Sequence, residues 1–338
     1  MQAIRFRQFA RSTAVVAALL LGACEGPHGN AVRVIIPRGA SFRTAADSMA
    51  AAGVITSPLA FRVYARLKGR DRQIQAGTYL LRRGTRWSDL VGEMNGGVGI
   101  LNRVTIPEGF TITQITPVLV RALNTTSDSV EAAVRDSALR ARLADPAETL
   151  EGYLFPDTYV FAPGTTAREA VAEMVRRFER EWKPEYDAQA AALGRSRHEI
   201  VTMASIVEKE ARLPEERPVI AAVYYNRLKY NMPLQADPTV QYALGRHTER
   251  VLYRDLTIDS PYNTYLHPGL PPGPIASPGG ASLRAALAPA KVPFLYFVAA
   301  PDGHHEFRET MAGHEEAKRA VRAERNADSA PKNKHNAR

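Results

Sequence analysis

The stretch His198–Ala211, HEIVTMASIVEKEA, decides how this chain folds. Ile200, Met203, Ala204, Val207 and Ala211 recur at the i, i+3, i+4, i+7 intervals of a single helical face, which predicts a buried helix. At about 100° per residue, Glu208 and Glu210 fall on opposite borders of that face. A carboxyl at the edge of an apolar stripe is partly dehydrated, so its pKa rises toward the range a general acid needs near neutral pH. Two glutamates beside a helix are equally the mark of an ordinary solvated border. Spacing alone does not choose between Glu208 and Glu210.

Downstream, Pro214 stops this helix and Glu215-Glu216-Arg217 leads into another, with Val219, Ala222, Val223 and Leu228 on one face and Tyr224-Tyr225-Asn226-Arg227 near its end. Three polar loops follow, at Leu234–Thr239, Ser260–Tyr265 and Gly269–Pro274. Their amides, hydroxyls and tyrosines are the groups that hydrogen-bond sugar hydroxyls and pack on pyranose faces. Taken singly, each loop is ordinary turn chemistry. A helix from Ser282 and an apolar strand at Phe294–Val298 close this half, and His304-His305 beside a Gly turn reads as a surface pair.

Upstream, one phrase recurs: a β-branched or aromatic strand, a Gly turn, then a helix opened by Ser or Thr. It appears at Val32–Ile36 with Gly39 and a helix over Ser41–Met49, and at Thr78–Leu81 with Gly84 and a helix over Trp87–Met94. It returns at Val104–Ile106 with Gly109 and a helix from about Thr111, and at Tyr159–Phe161 with Gly164 and a helix from about Ala167. The last is an amphipathic helix expected over Arg168–Glu185. The first two phrases together resemble a LysM-type carbohydrate-binding module of two helices and two strands, although any small α+β subdomain can use the same turn. Leu119–Ala147 reads as a helical connector, and Glu151–Tyr159 as an aromatic-rich extended segment carrying two carboxylates.

At 338 residues the chain has room for two domains, and its formal charge of +9 favours an anionic partner such as acidic lipid or a cell-wall polymer. Much of the excess lies at the ends. The stretch Lys318–Arg338 is basic and lacks apolar periodicity, so it is expected to be a disordered tail. At the other end Arg5, Arg7 and Arg11 precede the apolar run Thr13–Cys24, shorter than the roughly 17–25 residues of a spanning helix and suited to a secretory signal. Leu21-Gly22-Ala23-Cys24 resembles a lipobox, and Cys24 is the only cysteine, so lipidation there is expected; an uncleaved anchor is the alternative. Either way the remainder is expected to be exported. No Gly-rich phosphate cradle, metal-ligand spacing or basic stripe interleaved with aromatics is present, so neither cofactor nor nucleic acid is expected.

The ordered set is far more specific than its parts. Glu151-Gly152-Tyr153 with Pro156-Asp157-Thr158, Ala204–Glu210, Asn226-Arg227-Leu228, Leu234–Val240, Tyr262–Tyr265, Gly269–Ile275 and Tyr296-Phe297-Val298 follow one another in the chain. This set resembles the endolytic murein transglycosylase family, also called YceG-like or MltG, over about residues 33–317. The resemblance implies an α+β fold: a small LysM-like subdomain at 32–97, a connecting segment at 98–149 and a larger mixed α+β catalytic domain at 150–317. It implies a peptidoglycan lytic transglycosylase at the inner membrane, facing the periplasm, that cuts nascent glycan strands between N-acetylmuramic acid and N-acetylglucosamine. Membrane-bound peptidoglycan synthases would be its partners. The family's catalytic glutamate matches Glu210. Gln235 and Asn263 are candidates for positioning the glycan, Tyr225 and Tyr262 for shaping its groove, and Glu151 or Asp237 for tuning Glu210 or binding hydroxyls. A hydrolytic muramidase and a non-catalytic peptidoglycan scaffold are the alternatives. One departure concerns the anchor, since family members usually carry an uncleaved transmembrane helix where this chain has its lipobox-like signal.

Overall fold

The structure is a computed structural model that describes residues 30–329 apart from 38, 72–73, 97–101, 144–146, 163 and 246–250. The expected signal segment with Cys24 lies outside the described residues. The chain divides into two compact units, one running to Arg103 and including Val160–Thr165, the other holding Val104–Tyr159 and everything from Thr166. The architecture is mixed α+β.

In the first unit β1 (Ala31–Ile36) pairs antiparallel with β2 (Gly77–Arg82), Val34 opposite Tyr79 and Val32 opposite Leu81. Strand alternation turns Val34, Ile36, Tyr79 and Leu81 inward. Between the strands lie α1 (Phe42–Ala51) and α2 (Pro58–Leu67), and α3 (Trp87–Gly96) follows β2. The sequence reading held two helices here; α2 is the third, opened by the Ser57 side chain with Pro58 in its first turn. Met49, Phe61, Leu90 and Met94 fill the core, with Phe42 stacked on Phe61 and the Trp87 ring edge-on to it.

β3 (Asn102–Ile106) and β4 (Asp157–Phe161) pair as a second sheet. The phrase that recurs in the sequence is visible in the backbone: Gly39, Gly84, Gly109 and Gly164 all sit at φ between 74° and 78°, where side chains with a Cβ are strained. Ser41, Thr111 and Thr166 cap the helices that follow, while Thr85 instead donates to the Arg82 carbonyl.

Past β3 come α4 (Ile112–Leu123), α5 (Ser127–Val134) and α6 (Ser137–Leu143). The segment expected as a helical connector is helical over these three elements, and from Val104 its residues belong to the second unit, where Ile115, Leu119, Val130 and Leu139 are buried. α7 (Ala167–Glu181) stops earlier than expected. Pro184 has no N–H to donate and holds Lys183 extended, so a new helix, α8 (Pro184–Ala192), begins instead.

α9 (Arg197–Glu210) opens on a capping box between Ser196 and Glu199 and is buried on every side from Ile200 to Val207. Its inward polar groups are satisfied, since Thr202 donates to the His198 carbonyl and Ser205 to the Thr202 carbonyl. The Ser205 oxygen also accepts from the Ile275 N–H, and the His198 ring bonds the Pro272 carbonyl, fastening the Gly269–Ile275 loop along the helix. Gly152 lies beneath that loop at φ 84°, where a Cβ would come within 2.4 Å of Pro274 Cβ. Around α9 pack α10 (Arg217–Lys229), α11 (Asp237–Ala243) and α12 (Gly280–Leu287).

A hairpin of β5 (Tyr296–Ala299) and β6 (His305–Arg308) and then α13 (Met311–Ser329) complete the unit. The tail expected to be disordered from Lys318 is helical to Ser329, held by Ala317 and Val321, buried one turn apart, and by Arg325 donating to the Ala299 carbonyl. Two small residues four apart suffice for a seam that a scan for longer apolar periodicity passes over. Among the described residues no helix is long and apolar enough to cross a membrane.

Candidate active site

The last turn of α9 sends three consecutive side chains into three different surroundings, as a helical rotation of about 100° per residue requires. Glu208 goes to the start of α12, where it accepts from the Gly279 N–H at 3.0 Å and the Ser282 hydroxyl at 2.7 Å, with Arg217 3.7 Å from its other oxygen. It is a helix cap, nearly closed off from solvent. Lys209 turns the other way and donates to the Gly109 carbonyl at 3.3 Å. Glu210 enters a cleft of about 270 Å³.

Around that cleft stand Tyr224 from α10, Gln235 and Asp237 from the Leu234–Thr239 segment, Tyr265, and His305 from β6. The Tyr224 hydroxyl donates to Glu210 Oε1 at 3.0 Å. Burial lifts the Glu210 carboxyl to about 7 against the opposing pull of that hydrogen bond, and the Asp237 carboxylate adds to the rise. Its position at the negative end of the α9 dipole acts in the same sense. Burial, with Glu210 beside it, holds the Tyr224 phenol well above its usual range, so it remains a donor. The Tyr265 hydroxyl donates to Asp237 Oδ1 at 2.5 Å. Gln235 sits at φ 50° and accepts from Arg227. Arg227 spends its other donors on the carbonyls of Leu234 and Leu295, tying the cleft's two rims together.

Of the residues singled out in the sequence, the cleft gathers Glu210, Gln235 and Asp237. The others serve elsewhere. Tyr225 turns from the cleft and donates to the Ala286 carbonyl, bracing α12 to α10. Asn263 is fully buried; its amide donates to the carbonyls of Leu256 and Ile258 and its oxygen accepts from the Tyr265 N–H. It shapes the loop that presents Tyr265 and is closed to a sugar. Tyr262 packs against Tyr242, ring centroids 4.8 Å apart, and is not among the residues lining the Glu210 cleft. Glu151 is 5% exposed and accepts the Ile112 N–H with both oxygens at 3.2 and 3.1 Å, capping α4. Burial lifts its carboxyl to about 7 as well.

Tyr224, Arg227, Tyr265, His305 and His314 are polar or aromatic cleft residues that the sequence reading did not single out for the site. His305 is no surface group: it is 7% exposed, and its Nδ1 lies 2.6 Å from Glu216 Oε2. Its partner is 89 residues away in the chain, so no local signal marks it. Among the described residues no group of three His, Cys, Asp or Glu is placed to hold a metal ion.

Comparison with known proteins follows the same lines. A family model for the YceG-like family matches residues 34–320. The chain is 37% identical over 314 residues to the endolytic murein transglycosylase of Bacillus subtilis, covering 88% of this chain and 87% of that protein. It is 32% identical over 306 residues to the endolytic murein transglycosylase of Streptococcus pneumoniae, covering 79% of this chain and 54% of that protein. A crystal structure of a YceG-like protein from Listeria monocytogenes superposes with a TM-score of 0.60 at 34% identity, covering 86% of this chain and 99% of that one.

Proposed function

The chain belongs to the YceG-like family, and on that premise we propose that it is an endolytic peptidoglycan lytic transglycosylase with Glu210 as its acid and base. The observation that carries this reading is a carboxyl with its pKa lifted to about 7, open to a cleft rich in hydroxyl, amide and carboxylate groups. With Tyr224 donating to Oε1, Oε2 is the oxygen left to carry the acid proton. Near neutral pH both the protonated and the ionised forms are populated. Glu210 gives it to the glycosidic oxygen between N-acetylmuramic acid and N-acetylglucosamine as the bond breaks. The carboxylate then takes the proton of the muramic acid's own 6-hydroxyl, whose oxygen closes on the anomeric carbon to leave a 1,6-anhydro end. An internal nucleophile held at the reacting carbon replaces a second catalytic carboxyl, because intramolecular attack has a high effective molarity. Asp237 shares the cleft, and a hydrolytic muramidase would use it as the second carboxylate.

The first unit we read as a LysM-like holder of the glycan. The enzyme is placed at the outer face of the inner membrane, cutting nascent strands and so ending the elongation catalysed by membrane-bound synthases. Mass analysis of the products of purified glycan strands tests the chemistry. Anhydro ends, one water lighter than reducing ends, are expected; reducing ends would assign a hydrolase, and uncut strands a scaffold.

A further inference from the structure

The side of the α9 terminus facing away from Glu210 opens on a second cleft, of about 330 Å³. Thr111, Thr113, Gln114, Gln241 and Tyr242 line it with hydroxyls and amides, and Lys209 is the charged side chain among its described lining residues. The Lys209 ammonium has three N–H donors, of which one reaches the Gly109 carbonyl; among the described residues no carboxylate pairs with it. The α4 terminus nearby does not offer a rival anion site. Three of its amides are already engaged, Thr111 N–H by the Gln114 side chain, Ile112 N–H by Glu151 and Gln114 N–H by the Thr111 hydroxyl. A half-buried cation that no carboxylate among the described residues pairs, in a cleft of amide and hydroxyl groups, is a recognition site for an anion that also carries peptide-like polar groups.

The two clefts share their walls. Lys209 and Glu210 are consecutive, and so are Asp237, in the first cleft, and Pro238, in the second. Consecutive Cα atoms are about 3.8 Å apart, so both clefts border the end of α9, and a branched substrate lying across that end can enter both. In peptidoglycan that branch is the peptide stem on the muramic acid, which bears carboxylates and amides.

We propose that the Lys209 cleft seats this acidic peptide stem, with the Lys209 ammonium pairing a stem carboxylate and the Gln and Thr side chains bonding its amides. The inference rests on the transglycosylase reading above and makes the enzyme a reader of stem-bearing strands.

The test compares two substrates with the full chain: glycan strands carrying stems, and the same strands stripped of stems by an amidase. The readout is the ratio of kcat/KM for stem-bearing over stripped strands. Lys209→Met lowers that ratio about tenfold, the worth of one charge-assisted contact, and Lys209→Arg retains most of it. Wild-type enzyme acting on stems with amidated carboxylates shows the same loss without any substitution, so the result does not depend on the variant folding. A ratio near one in the wild type, or one that neither Lys209→Met nor amidation lowers while anhydro ends are still released, overturns the stem site and leaves the transglycosylase reading standing. If the wild type cuts neither substrate, the functional reading fails first and this inference falls with it.

Discussion

Glu210 and Glu151 lie in one unit of the protein, both with carboxyls raised by burial to about 7, yet their surroundings differ in the respect that matters. Glu151 is walled in, and both its oxygens accept the N–H of Ile112. Each also accepts a phenol, Tyr242 on Glu151 and Tyr224 on Glu210, but Glu210 opens on a cleft. The same dehydration therefore serves a helix cap in one place and a proton donor in the other. A perturbed carboxyl marks a candidate site only when a reacting atom can reach it.

The largest expected effect lies on the open side of this comparison. Glu210→Gln lowers the rate of anhydro-end release about 10³-fold, the usual worth of a general acid, while the thermal midpoint stays level or rises because a dehydrated carboxyl has been removed. Gly152→Ala strikes the walled side. With φ at 84° and Pro274 Cβ 2.4 Å from the new methyl, it costs about 3 kcal/mol in urea unfolding. Glu151→Gln costs about 1–3 kcal/mol at pH 5 by spoiling the α4 cap. Its effect shrinks at higher pH, for a reason of sign. A carboxyl at about 7 in the folded state and 4.5 when unfolded binds more protons folded, so its contribution is complete below pH 4.5 and is lost as pH rises to about 7. Chemical denaturation across that window shows a slope in the wild type that Glu151→Gln reduces, the remainder belonging to Glu210. Tyr224→Phe makes the smallest change. It removes a hydrogen bond that lowers the Glu210 pKa, so the alkaline limb of kcat/KM moves upward while the rate falls severalfold; Tyr225→Phe leaves the limb in place.

Much of the fold was legible because its signals are local. The Gly-turn phrase announced four strand-to-helix joints, and the period of His198–Ala211 announced the central helix. The choice between Glu208 and Glu210 was not local. Glu208 is consumed by Gly279 and Ser282, 71 and 74 residues away, and Glu210 is met by Tyr224 across a helix pair. Only the family resemblance distinguished them in the sequence. α10 buries Ile220, Ala221, Ala222, Val223 and Tyr224 in succession, so the face read from Val219, Ala222, Val223 and Leu228 did not reveal that Tyr224, not its neighbour Tyr225, meets the cleft. Asn263 read as a sugar ligand because an amide in a loop has the right chemistry, but loop carbonyls claim it first. Polar residue types advertise hydrogen bonding; which partner they take is settled by tertiary placement.

The most direct test of the distinction between the two carboxyls is the pH profile of kcat/KM on one glycan substrate, from pH 5 to 9, in the wild type and in Glu151→Gln. Both are expected to fall above about pH 7 with the same midpoint, since the proton that is lost belongs to Glu210. A wild-type profile without that fall, or a limb that disappears with Glu151→Gln, would contradict the assignment of Glu210 as the acid.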